Sequence, residues 1–70
     1  MQAAFYKGHT IRGFASPTGN GSFIASGGVD KNSRRINESG EIGCYPSLEA
    51  AATQGLSWAR AWVDAHSQDA

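Results

Sequence analysis

The feature that most constrains this chain is the spacing of apolar residues between Ser47 and His66. At about 100° per residue, Leu48, Ala51, Ala52, Gly55, Ala59, Trp62, Val63 and His66 fall on one side of a helix, with Leu56 and Trp58 at its flanks. Glu49, Thr53, Ser57, Arg60 and Asp64 fall on the other. Ser47 is a good N-cap with Pro46 just before it, and Glu49 in the first turn complements the helix dipole. The centre of the stripe is Ala and Gly, so the helix axis can approach its support closely. Gly55 inside a helix costs up to about 1 kcal/mol relative to Ala, so a close contact is expected there, with an aromatic from the sheet as its partner.

That support has to come from the residues before the helix. Ala3–Tyr6 is a short apolar-aromatic run, and Gly8 permits a bulge or bend before Thr10–Ser16, giving one kinked strand or two short ones. Residues 16–21 concentrate turn formers, and their Asn20-Gly21 pair suits a tight hairpin. Ser22–Ser26 follows as a strand with Phe23 and Ala25 on one face and Ile24 on the other. Gly27-Gly28 through Asn32 reads as a loop, and Ser33–Asn37 as a weak extended segment. Glu38-Ser39-Gly40 reads as a turn and Glu41–Tyr45 as a last short strand with Ile42 and Cys44 on one face. The expected fold is α+β: an antiparallel sheet of three or four strands over about 3–45, one C-terminal helix over about 47–66 packed on one face, and a frayed tail at 67–70. Its 70 residues form one domain, and folding at this size buries only roughly 60% of the surface the unfolded chain exposes.

Formal charge is zero, which removes the global signature of a nucleic-acid binder. The distribution is uneven. Residues 1–35 hold Lys7, Arg12, Lys31, Arg34 and Arg35 against Asp30, five minus one or +4; residues 36–70 hold five carboxylates against Arg60, or −4. Sheet and helix would then carry opposite charge, or ordinary solvated charge on both layers. Cys44 is the only cysteine, so no intramolecular disulfide and no cysteine metal cluster can form, which fits a reducing interior. Met1–Thr10 lacks the pattern of a signal peptide, and no run approaches the ~18–20 apolar residues of a membrane span. A soluble cytoplasmic protein is expected.

Two segments carry a family resemblance. Tyr6, Gly8 and Ile11 resemble an aromatic-x-Gly-x-x-Ile start. Tyr45, Ser47 and Glu49, followed by Ala51, Gly55, Leu56, Ala59, Arg60, Trp62, Val63 and Asp64, resemble an aromatic-x-Ser/Thr-x-Glu entry to a helix ending in Ala-Arg-x-Trp-Ile/Val-Asp. Both occur in a group of small uncharacterised bacterial proteins, mostly proteobacterial. The resemblance spans nearly the whole chain, departs most over residues 27–41, and implies a sheet with a C-terminal helix. It brings no activity and no catalytic residues.

Nothing else in the chain builds a catalytic constellation. His9 and His66 have no HExxH-like spacing and no positioned carboxylate, so no metal site is expected, and His66 suits the helix C-terminus as a cap. Cys44 stands just before a helix and would need a histidine partner to act as a nucleophile; beside Ile42 it reads as a small core residue. Gly19-Asn20-Gly21-Ser22 and Ala25-Ser26-Gly27-Gly28 open no helix and lack the Gly-Lys-Ser/Thr of a phosphate loop, so they read as turns. No cofactor and no enzymatic activity are expected.

The remaining candidate is a surface. A helix on one face leaves the other face of the sheet open, and Arg12, Lys31, Arg34 and Arg35, with Phe14 or Tyr6, are the residues that would make it a binding surface. The expected function is a noncatalytic protein-interaction module, self-associating as a homodimer or docking a protein partner. The alternative is nucleic-acid binding through those four basic residues on a sheet face.

Overall fold

Ser47 starts the helix as expected. In the computed structural model, which describes residues 1–66, the Ala50 amide donates to Ser47 Oγ at 3.0 Å and the Ala51 amide to the Ser47 carbonyl at 3.1 Å. The first bond satisfies one of the orphan donors of the first turn, and the second is the first regular bond of the helix. The helix, α1, runs Leu48–His66. The frayed tail expected at 67–70 lies outside the described residues.

Before it come five strands: β1 (Gln2–Tyr6), β2 (His9–Pro17), β3 (Phe23–Lys31), β4 (Arg34–Glu38) and β5 (Gly43–Tyr45). All pairings are antiparallel, in the order β1-β2-β3-β4, and β5 pairs with β3 beside Phe23–Ala25, past the end of β4. The α+β architecture is the expected one. Gly8 makes a turn between two separate strands: Tyr6 pairs with His9, and Lys7 and Gly8 take φ of 49° and 80°. Positive φ at both central residues marks the mirror-image turn whose twist suits a hairpin. Asn32 and Ser33, at 55° and 64°, make the same turn between β3 and β4 without a glycine.

Two expectations need correction. The Asn20-Gly21 pair does not make a tight hairpin turn. Positive φ falls on Gly19 and Gly21, and Thr18–Ser22 forms a longer loop, closed by the Thr18 amide on the Ser22 carbonyl at 3.0 Å. The larger correction concerns Gly27-Gly28 through Asn32, which is strand: β3 continues to Lys31, and Gly27, Gly28 and Val29 are buried. These glycines serve tertiary contacts. A Cβ built on Gly27 would fall onto the Gly55 carbonyl and lie 2.8 Å from the Trp58 ring; one on Gly28 would lie 3.0 Å from Arg35 Nη1.

Alternation along the strands decides which residues the helix covers. Cross-strand partners share a face, so Ile11 with Val29, Gly13 with Gly27 and Ala15 with Ala25 form the row beneath α1. Ala51, Ala52, Gly55, Ala59 and Val63 are the buried helical residues, while Leu48 and His66, at the two ends of the stripe, remain exposed. At the crossing, backbone meets backbone: a Cβ on Gly55 would collide with the Ser26 carbonyl, and one on Gly13 with the Ala52 carbonyl. Gly55 thus contacts sheet backbone, where an aromatic was expected. Beyond this contact Ile11, Val29, Ala59 and Val63 form the core, with Tyr6, Leu56, Trp58 and Trp62 packed around it.

Candidate functional site

The face of the sheet away from α1 carries, by register, Phe5 on β1, Arg12 and Phe14 on β2, Ile24, Ser26, Gly28 and Asp30 on β3, Arg35 on β4 and Cys44 on β5. Phe5 is 78% exposed. Phe14 and Ile24 are half-buried, in a face whose other neighbours are small or polar.

Asp30 organises the polar part. It sits on the central strand with a basic residue on each neighbouring one: Arg12 Nε donates to its Oδ2 at 2.9 Å, and Arg35 Nε donates to its Oδ1. Arg35 also reaches Glu38 through Nη1 at 3.2 Å. Gly28 supplies the room, because the Arg35 guanidinium lies where a Gly28 side chain would stand. Arg35 then places its Cζ 5.7 Å from the centroid of Phe14, a cation–π contact. One continuous network therefore runs Arg12, Asp30, Arg35, Glu38, with two charges of each sign.

The Asp30 side chain keeps only 14% of its accessibility. Hydrogen bonds from Arg35, then Arg12, hold its carboxyl below the ordinary value of 3.8, against an opposing desolvation by burial. A carboxylate with a lowered folded pKa contributes stability above its unfolded pKa, and loses it as pH falls through the folded one. Asp64 acts over the same range, lowered by hydrogen bonds from Lys7 and then Tyr6, but its side chain is 45% exposed and screened by salt. Thermal stability should therefore be flat near neutrality and decline below about pH 4. In high salt Asp30→Asn should remove most of that decline, and a decline unchanged in Asp30→Asn would show that the network does not couple to folding.

Of the four basic residues marked by the sequence, Arg12 and Arg35 come together on the uncovered face, both engaged by Asp30. Lys31 pairs with Arg34 at the β3–β4 turn, and by register the two project to the opposite side. Neither makes an ion pair among the described residues. Tyr6 belongs to the helix side, donating to Asp64 Oδ1 at 2.8 Å, while Phe14 lies on the uncovered face as required.

Cys44 corrects the expectation of a core thiol. It is exposed, opposite Ile24 on the uncovered face, because the last strand turns Gly43 and Tyr45 toward the helix side. His9 lies at the other end of the sheet: Thr10 pairs with Asp30 whereas Cys44 pairs with Ile24, a separation of about 20 Å along β3. His9 Nδ1 contacts the Lys7 carbonyl at 2.9 Å, and His66 Nδ1 donates to the Trp62 carbonyl at 2.9 Å while stacking on the Trp62 ring at 4.1 Å. His66 thus caps the helix, as its position suggested. Among the described residues no three His, Cys, Asp or Glu side chains converge as metal ligands, and no helix is long and apolar enough to cross a membrane.

Asp30 and Phe5 escaped the sequence reading. The signal for Asp30 was its being the one acidic residue among the first 35, surrounded by the cations it pairs with.

Fold and surface together define a class: a five-stranded antiparallel sheet backed by a single helix, with a neutral, partly aromatic face left uncovered. The chain belongs to a family whose function is undefined, the domain of unknown function DUF6566, and the match covers residues 1–70. No curated protein and no solved structure matches it.

Proposed function

We propose that this chain is a cytoplasmic, noncatalytic interaction module whose working surface is the uncovered face of its sheet. The observation that carries the reading is Phe5, which at 78% is the most exposed large apolar side chain among the described residues and stands on that face. Phe14, Ile24 and Cys44 extend the surface across the sheet. The same reading takes the Tyr6-Gly8-Ile11 start and the Tyr45-x-Ser47-x-Glu49 entry to the helix as marks of the family, and its members as mostly proteobacterial.

Nucleic-acid binding is the second reading, favoured by Arg35 beside Phe14. Weighing against it, Asp30 and Glu38 neutralise the cations of this face, whereas single-strand binding grooves combine stacking rings with net positive charge.

The test is a thermal or urea melt of Phe5→Ser in dilute solution. If Phe5 serves recognition, the change stays within about 0.5 kcal/mol of the native chain. A loss of about 2 kcal/mol or more would mean that Phe5 serves the fold, and the reading would fail. A labelled single strand shifted at low salt, with the shift lost in Arg12→Ala with Arg35→Ala, would select the second reading instead.

A further inference from the structure

We propose that the partner of the uncovered face is a second copy of this chain, the two sheets packing face to face about a two-fold axis. This rests on the reading of that face as an interaction surface and names its occupant.

Charge favours a copy of itself. The face carries Arg12 and Arg35 with Asp30 and Glu38, two of each sign in one network, while Lys31 and Arg34, which make no ion pair among the described residues, project to the other side. A two-fold contact sets a surface against its own image, so a face of one sign repels itself and a balanced one does not. The rows of guanidinium and carboxylate offer partners of the opposite sign to the same rows on the other copy. A strongly charged partner of either sign gains nothing from such a face.

Area favours it as well. With strands about 4.8 Å apart and about 3.3 Å of rise per residue, the five strands present a projected face of roughly 500 Å². Two copies laid face to face cover about 1,000 Å², the minimum for a specific contact and the size of a weak, concentration-dependent one. Apolar groups reach both margins, Phe5 on β1 and Ile24 with Cys44 at β5, with Phe14 between them. At the centre the planar Arg35 guanidinium lies over Gly28 with the small Ser26 beside it, so a facing sheet meets a flat charged group and a short side chain between the aromatic rings.

Cys44 provides a native probe, being the chain's single thiol, exposed and on this face. The experiment measures mass by sedimentation under reducing conditions from about 1 μM to about 1 mM, and the rate of Cys44 labelling across the same series. The expected result is a mass rising from monomer to dimer, with labelling slowed about tenfold in the dimeric range. Ile24→Glu should stay monomeric throughout. Phe5→Ser, whose folding the dilute melt checks separately, should move the midpoint about tenfold higher in concentration.

A monomer mass at every concentration overturns the second copy. So does a dimer whose Cys44 labels at the monomer rate and whose Ile24→Glu variant associates normally, since that dimer uses the open edge of β1 or another surface. The broader reading fails by a different measurement, the dilute melt of Phe5→Ser, so the two failures are distinguishable.

Discussion

Gly55→Ala should destabilise the protein by about 3 kcal/mol or more, at the top of the range for overpacking, although Ala is the better helix former by up to about 1 kcal/mol. The two effects have opposite sign, and the geometry decides between them. A Cβ at Gly55 falls onto the Ser26 carbonyl and within 3.0 Å of the Gly13 Cα, and both are backbone atoms of the two central strands that cannot rotate aside. Gly13 and Gly27 face the same contact from the sheet side, so relief requires lifting the whole helix away from the sheet. Lifting it loosens Val63 and Ala59 from Ile11 and Val29, which is the core. With a total stability of roughly 4–10 kcal/mol for a chain of this length, Gly55→Val should be unfolded at 25 °C. Urea melts followed by far-UV circular dichroism measure the first, and Ser57→Gly, an exposed helical position where only propensity acts, is the control. A higher midpoint for Gly55→Ala would show that the contact yields.

How far the sequence revealed this arrangement follows from which signals are local. The helix was legible because its stripe repeats every 3.6 residues and its cap lies within three residues of Ser47. The Gly27-Gly28 pair signals a turn locally, while in the fold it answers α1 and Arg35, residues distant in the chain. The side of the sheet that Cys44 takes is hidden for a related reason. Alternation says that Ile24 and Ala25 face apart, but only strand pairing says which face of β5 each of them meets. Asp30 needed three strands in register before its position between Arg12 and Arg35 existed at all. The binding candidates divided on that same register: of Arg12, Lys31, Arg34 and Arg35, two share the uncovered face and two do not. Composition carries the number of cations and not their sides.

Ile11→Ala should cost about 2–5 kcal/mol, while Ile24→Ala, the same chemical change one strand away, should cost under about 1 kcal/mol in the dilute monomer. Ile11 is fully buried against Val29, Ala59 and Val63, and the other fully buried side chains are mainly alanines. Its loss leaves a cavity that a helix already seated on glycine backbone cannot settle into, since Gly13, Gly27 and Gly55 are in contact before the methyl groups are removed. Ile11→Val should fall between, at about 0.5–1.5 kcal/mol. Urea midpoints at constant slope measure all three. Ile24 lies on the face the helix does not touch, so removing it spares the core and should show instead in the concentration at which the chain associates. Were Ile24→Ala as costly as Ile11→Ala in dilute solution, both faces would serve the fold and no face would be left for a partner. The contrast between two isoleucines thus separates the layer that holds this domain together from the layer that gives it something to bind.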